Sequence, residues 1–464
     1  MNIILIVADD LGFGDVGYKN PEAITPNIDK LALEGTRLEN FYVQSSCSPT
    51  RAALMTGNFC YRLGMQRVIW PWNKNSIDPN IKFLPQYMKD AGYSTKMFGK
   101  WNIGHSDLRY IPTSRGFDYH YGSYYGCMDH WTHKYYNIHD LLENNKAVYD
   151  TGHIADLLTD KVCNKLKEEN SPFFYYVAYN SPHEPLQSPK NYKDIYKNMT
   201  NKPRALFLSM VTHLDDCIGK ILQTLEEKNI REDTLIWFTT DNGGFIPSGS
   251  SNGNYRSGKT SNYEGGLKAI NFINYKPWNS GSKNYGLYHA VDFVPTLSKL
   301  VGIKSESLDG IDISENIINS IEPKERTIVF DAMISGINKD TIYGVIRKNN
   351  YKIHITGKST ELYNIDIDAK ESNNLALKND LENALIIYES FNFIKNLEKN
   401  YVKDPQTWWK PNGFPVNWNF PATSVCDEKL ILLNNEEEIS YVDTENFCTD
   451  SVKDILGYYN YNLP

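Results

Sequence analysis

Four short apolar runs constrain this chain more than any other feature, because each ends in residues capable of chemistry. Ile3 to Ala8 runs into Asp9-Asp10, and Thr95-Lys96-Met97-Phe98 into Gly99-Lys100. Phe173 to Tyr179 runs into Asn180-Ser181-Pro182-His183, and Leu235-Ile236-Trp237-Phe238 into Thr239-Thr240-Asp241-Asn242-Gly243-Gly244. Runs of this length without polar alternation suit strands buried on both faces. Helical patterns separate them, over Lys82 to Ala91, Ile154 to Glu169 and Leu206 to Asn229. The last carries a stripe of Met210, Leu214, Ile218, Ile221, Leu222 and Leu225. Strand–helix alternation predicts an α/β fold, a large and mostly parallel sheet with helices on both faces. Ligands bind such sheets beyond the carboxyl ends of the strands. The four polar endings are therefore expected at one rim.

Two long segments, Tyr119 to Tyr136 (Gly, Tyr, His) and Pro247 to Asn262 (Gly, Ser, Asn), read as surface loops near that rim. The alternation fades over Glu315 to Asp331. Tyr343 to Arg347 and Tyr351 to Ile355 then flank Lys348-Asn349-Asn350 as a hairpin, Glu361 to Ile365 reads as a strand and Asp380 to Leu397 as a helix. With 464 residues, the expectation is a catalytic domain over 1–327 and a smaller antiparallel α+β domain over 328–464. No apolar run approaches the ~20 residues of a membrane span. The first residues pass straight into Asp9-Asp10 without a basic region or a small-residue cleavage site, so they read as a strand and no leader is visible. A net charge of −8 argues against a nucleic-acid partner. The seven cysteines are scattered without a C-x-x-C pair, so neither a zinc site nor a disulfide framework is signalled.

One cysteine stands apart. In Cys47-Ser48-Pro49-Thr50-Arg51-Ala52-Ala53-Leu54-Met55-Thr56-Gly57, Ser48 reads as an N-cap, Pro49 as a first helical residue and Gly57 as the stop. Cys47 would then precede a helix N-terminus, where the macrodipole lowers a thiol pKa, with Arg51 within reach. On these residues alone an ordinary buried cysteine fits as well. Asp9, Asp10, Asp241 and Asn242 are hard oxygen donors suited to Ca²⁺ or Mg²⁺, though each pair alone could serve a turn. Arg51, Lys100, His183 and Lys259 offer positive charge and proton transfer.

Cys-x-Pro-x-Arg resembles the signature of the sulfatases, and further blocks resemble that family in the same order. They are Asp9-Asp10-Leu11-Gly12, Thr25 to Asp29, Gly99-Lys100-Trp101, Pro112 to Asp118, His183 to Gln187, Thr240 to Gly244, Glu264-Gly265-Gly266 and Asp292 to Leu297. They span residues 1 to about 312, and Leu362 to Asp366 is similar to the family's C-terminal domain. Ile69-Trp70-Pro71, Ser181 to Pro189 and the Lys259–Glu264 spacing resemble the arylsulfatase B (N-acetylgalactosamine-4-sulfatase) group most. The resemblance implies an alkaline-phosphatase-like fold. It implies Ca²⁺ held by Asp9, Asp10, Asp241, Asn242 and a formylglycine made from Cys47 by a formylglycine-generating enzyme. Arg51 and Lys100 would hold the formylglycine and its metal environment, and Lys100, His183 and Lys259 would contact the sulfate of a sulfated carbohydrate such as N-acetylgalactosamine 4-sulfate.

Three positions depart from the family pattern. Asn102 stands where the family carries a His that helps the hydrate's second hydroxyl lose its proton and expel sulfate. His105 is the nearest replacement in sequence. Asn58 stands for an Arg after Thr-Gly. The resemblance implies a lysosomal or secreted address; Trp72 and Ser76, standing where arylsulfatase B relatives carry cysteines, and the lack of a visible leader speak against it. Two alternatives follow: an impaired relative that binds sulfated glycans, and a phosphoester or phosphonate-ester hydrolase of the same superfamily.

Overall fold

The computed structural model describes residues 1–402 apart from 279–280, 307, 320, 323–324, 335–341 and 357–358, together with 424–426 and 429–431. In chain order, the elements that position the site are β1 (Asn2–Ala8), α1 (Cys47–Thr56), β2 (Ser94–Lys100), β3 (Tyr119–Ser123), α2 (Ile154–Glu168), β4 (Phe173–Ala178), α3 (Lys202–Glu227), β5 (Thr234–Thr240), β6 (Asn271–Asn274) and α4 (Phe293–Leu300). The sheet has ten strands with the central order β6-β5-β1-β4-β2-β3. Short strands at Thr36–Leu38 and Lys283–Asn284 extend it beyond β6, and others at Leu142–Glu143 and Lys146–Ala147 beyond β3. β5, β1, β4, β2 and β3 are parallel, while β6 is antiparallel to β5. The mostly parallel α/β sheet expected from the four runs is the sheet observed.

Alternation within β1 explains why its sequence is apolar throughout. Ile3, Leu5 and Val7 enter one core with α1 and α4, through Ala53, Leu54, Phe293 and Leu297. Ile4, Ile6 and Ala8 enter the other with α2 and α3, through Leu158, Val162, Leu214 and Ile218. Successive strand residues point to opposite faces, so a sheet covered on both sides leaves no position for a polar residue.

Register then sets the rim. Val7 pairs with Ala178, Ala8 with Thr240 and Ala178 with Gly99, so β1, β4, β5 and β2 end level with one another. Gly99 makes the β2–β4 approach possible. Its φ is +103°, and a Cβ there would lie 1.9 Å from the Ala178 carbonyl oxygen. Gly122 of β3 faces it just as closely.

Two sequence expectations need correction here. Tyr119 to Ser123 is not loop but the fifth parallel strand, and Met128, His130, His133 and Tyr135 beyond it are buried. Ser48 is not the N-cap: Ser46 takes that position without a side-chain bond, and Cys47 is the first helical residue. Gly57 ends α1 in the left-handed conformation as expected, its N–H on the Ala53 carbonyl.

A four-stranded antiparallel sheet follows: β7 (Thr327–Ile334), β8 (Ile342–Lys348), β9 (Tyr351–Ile355) and β10 (Thr360–Asn364), then α5 (Leu381–Asn396) capped by Asp380. Much of the C-terminal region expected over 328–464 lies outside the described residues. A buried polar network fastens this sheet to Tyr42 and Glu264 of the larger domain. Lys352 of β9 lies 3.1 Å from Glu264 and 3.0 Å from Glu371, and the Tyr42 hydroxyl donates to Glu264 at 2.6 Å. Arg347 of β8 completes it by bonding the Tyr42 hydroxyl.

Candidate active site

Asp9 and Asp10 follow β1, Lys100 closes β2, His183 lies five residues beyond β4, and Asp241 and Asn242 follow β5. Level strand ends therefore bring these residues together, and Asp10 turns back through a positive φ of 64°. Cys47 and Arg51 reach the same rim from the first turns of α1. Lys259 arrives from the Pro247 to Asn262 segment, with its neighbour Thr260 anchored by an N–H bond of 2.6 Å to the Ser45 carbonyl.

The contacts are dense and largely dry. Lys100 Nζ donates to Asp9 Oδ2 at 2.6 Å, and Lys259 Nζ to Asp10 Oδ2 at 2.7 Å. Arg51 donates to Asp241 Oδ2 through Nη2 at 2.7 Å and Nε at 3.1 Å, and to the Lys100 carbonyl at 3.0 Å. Asn242 Nδ2 donates to Asp10 Oδ1 at 2.7 Å. His183 Nε2 stands 3.6 Å from Asp10 Oδ2. Its Nδ1 lies 2.6 Å from the Glu184 carbonyl, which can only accept, so Nδ1 carries the proton and Nε2 the lone pair in the neutral ring.

Titration follows from this crowding. Burial, followed by the Asp241 charge, pushes the Asp9 carboxyl up, and Lys100 and Arg51 offset this only in part. Burial also opposes ionisation of Asp10, but Lys259 and His183 outweigh it and hold that carboxyl well below the usual range. Arg51 and Lys100 do the same for Asp241 against its burial. Burial, then the Lys259 charge, lowers the His183 imidazole to about 3. Cys47 corrects the helix-terminus expectation: burial raises its thiol despite Lys100 and Lys259, so the encoded residue is not a ready thiolate.

The donor set fits a hard divalent cation. The ligating atoms of Asp9, Cys47 and Asp241 lie within 4.8 Å of one another, as do those of Asp9, Asp10 and His183. Asp9 Oδ1 and Asn242 Oδ1 are buried with no hydrogen-bond partner among the described residues. Buried acceptors are rarely left so, and oxygens facing a shared space are what a Ca²⁺-class ion takes up.

Asn102 lies beside this cluster, in a closed clasp. Ser48 Oγ donates to Asn102 Oδ1 at 2.8 Å, Asn102 Nδ2 donates to the Ile69 carbonyl at 3.1 Å, and Ile69 N–H donates to Ser48 Oγ at 2.9 Å. His105 is turned elsewhere, with Nε2 2.9 Å from the Pro71 carbonyl and its ring edge-on to Tyr125. Some rim residues escaped the sequence reading. The Tyr176 hydroxyl lies 3.5 Å from Arg51. Cys127 donates from Sγ to the Glu184 carbonyl, next to His183. Asn180 is buried in the strand-end segment already singled out, with neither amide atom partnered among the described residues. Glu264, by contrast, belongs to the network that fastens the C-terminal sheet, not to this cluster.

A family model described as Sulfatase matches residues 1–303. The chain belongs to the sulfatase family. Among its sulfatase relatives, a Mus musculus protein described as Arylsulfatase J is 37% identical over 332 residues, covering 68% of this chain and 55% of that protein. N-acetylgalactosamine-6-sulfatase of Rattus norvegicus is 31% identical over 346 residues, covering 67% and 64%. This sulfatase chain thus spans roughly half to two thirds of the length of those relatives. In three dimensions it is similar to Ps i-CgsB in complex with k-i-k-neocarrahexaose, with a TM-score of 0.79, 29% identity and coverage of 89% and 95%. The phosphonate monoester hydrolase of Agrobacterium radiobacter shares the fold alone, at 18% identity and a TM-score of 0.64.

Proposed function

We propose that this sulfatase hydrolyses sulfate esters on a carbohydrate, using a formylglycine at position 47 and a Ca²⁺ ion. One observation carries the reading: the Cys-x-Pro-x-Arg cysteine meets four buried oxygen donors and four cationic or basic side chains at a single rim. Asp9, Asp10, Asp241 and Asn242 would hold the ion together with the side chain of residue 47. Once in place, the hydrated aldehyde supplies an oxygen nucleophile and the ion stabilises negative charge on the sulfate.

The chain's own groups do the rest. Arg51 fixes the Asp241 carboxylate with two donors and reaches the Lys100 carbonyl, so it orients its neighbours. Lys100 and Lys259 are preorganised ammonium groups for the non-bridging oxygens of the ester. His183 Nε2 is the ring nitrogen left to hold a proton at the leaving oxygen. The negative charge of a bound ester would favour its protonation, against the burial that opposes it. A carbohydrate is supported by an aromatic wall beside the His183 loop. Trp70 and Trp72 stack at 5.1 Å, Tyr136 meets Trp72 edge-on, and Trp70 and Tyr136 pack in one cluster with Cys127. Such half-buried rings suit the faces of sugars.

The test joins mass to turnover. The tryptic peptide over Cys47 is expected about 18 Da lighter than encoded, the signature of this covalent change. Cleavage of N-acetylgalactosamine 4-sulfate is measured beside the 6-sulfate, and an aryl sulfate beside the same aryl phosphate. Cys47→Ala is expected to abolish sulfate release, while Cys60→Ala and Cys217→Ala are not. Undiminished turnover by Cys47→Ala, or faster cleavage of the phosphate, overturns the reading.

A further inference from the structure

A second cluster of ligating side chains lies behind the His183 loop, where no residue of the proposed chemistry sits. His153 caps α2, Asp156 occupies its first turn, and His213 comes from the middle of α3. One ligating atom from each lies within 4.8 Å of the other two. Both histidines are buried, and His213 is only 1% exposed. Its Nε2 is 3.1 Å from Asp156 Oδ2, and its Nδ1 has no hydrogen-bond partner among the described residues. An imidazole this deeply buried ordinarily satisfies its nitrogens.

We propose that His153, Asp156 and His213 form a second metal site, selective for a borderline divalent ion of the Zn²⁺ class. Two imidazoles and one carboxylate are a donor set that suits zinc and its neighbours, whereas the rim's oxygen donors suit Ca²⁺. The hydrogen bond of His153 favours the assignment. Nε2 lies 3.0 Å from the Gln187 carbonyl and must donate to it, which leaves the Nδ1 lone pair for an ion. Metal-bound histidines are oriented in this way, with the other ring N–H on a carbonyl or carboxylate. The Ala155 N–H, now 3.2 Å from His153 Nδ1, is the contact an ion replaces. Three donors around a tetrahedral ion stand roughly 3.3 Å apart. The triad therefore has to contract, and Asp156, with its side chain 37% exposed, is the member free to swing inward. Lys220 holds the other oxygen of that carboxylate at 3.2 Å and is half exposed, so it can withdraw.

The ion would act as a staple. It would join α2 to α3 and, through His153 and Gln187, to the loop that carries His183. That loop is also held by His130, whose Nε2 lies 3.1 Å from the His183 carbonyl and whose ring packs against His153.

Zinc calorimetry and metal analysis on the full chain, in excess Ca²⁺ to fill the rim site, test the proposal. Wild-type protein is expected to bind one more equivalent of Zn²⁺ than His213→Ala, with affinity lowered at least about 100-fold in the variant. Co²⁺ loading is expected to give visible absorption of tetrahedral, nitrogen-ligated metal in wild type only. Asp156→Asn, at a partly exposed site, serves should His213→Ala not fold, and is also expected to weaken Zn²⁺ binding. Equal Zn²⁺ uptake by wild type and a folded variant, or no uptake beyond the rim site, overturns the proposal.

Discussion

Asp241 has two neighbours to serve at the rim: it faces the oxygen cluster beside Asp9 and it neutralises Arg51. Asp241 was legible as a candidate metal ligand because it ends an apolar run beside Asn242. Its second task, neutralising the fully buried Arg51, was not, because that partner lies 190 positions away. The consequence for mutagenesis is direct. Asp241→Ala strands a buried guanidinium, and breaking such a pair typically costs about 3–5 kcal/mol. Asp241→Asn keeps the shape and an acceptor. It is expected to lose Ca²⁺ binding and turnover with a smaller drop in Tm than Asp241→Ala, as calorimetry and thermal melts would show. Asn102 was legible only as a departure. The structure adds that its amide is committed to Ser48 and Ile69, so it offers no base to the reaction. Losing a positioned base costs about 10²–10⁴-fold in the step concerned. Stopped-flow assays are therefore expected to show a burst of alcohol near one equivalent per converted site, then slow turnover. Asn102→His is expected to raise the slow phase and leave the burst rate unchanged. No burst and no gain would place the base elsewhere.

At the scale of elements, the four polar-tipped strands were legible because a strand buried on both faces has an unmixed sequence. β3 was not, because Tyr119 to Ser123 carries a His, a Gly and a Ser, and becomes a strand only by pairing with β2. The glycines that permit this pairing look like loop residues in the sequence. Gly99→Ala is the informative change. Its Cβ would strike backbone atoms of β4 and could not be relieved by a side-chain rotation, and its φ of +103° disfavours any side chain. The end of β2 must then shift, carrying Lys100 away from Asp9. Gly99→Ala is expected to lower kcat/KM and to reduce stability by more than about 1 kcal/mol. A Gly99→Ala protein with wild-type Tm and turnover would show that the β2–β4 approach is not needed.

Over the whole molecule, buried histidines set the response to acid. Burial lowers His105 to about 4 and His120 and His130 to about 3, and burial with Arg326 takes His289 well below its ordinary value. In the unfolded chain each titrates near 6.5. Their contribution is thus fully present above that pH and is lost as pH falls toward the folded values. Asp140, pushed up to about 8, and Asp215, to about 6, act in the opposite sense, because the fold keeps protons that the unfolded chain releases. Among these six groups the four histidines outweigh the two carboxyls near pH 5, so the unfolded state binds more protons there and stability falls as the pH drops. Urea midpoints are therefore expected to fall between pH 7 and pH 5, and an unchanged or higher midpoint at pH 5 would contradict this balance.

The burial of Cys47 also sets an order of events. Its side chain is buried, as is every residue of α1. On the proposed reading, an enzyme that oxidises this residue would have to reach it while α1 is still unwound. Native Cys47 protein mixed with such an enzyme is expected to keep its mass, whereas the same chain denatured and refolded in its presence is expected to lose about 18 Da. Maturation of that kind would be a race between two clocks, and a chain that finished folding first would keep an idle thiol for its lifetime.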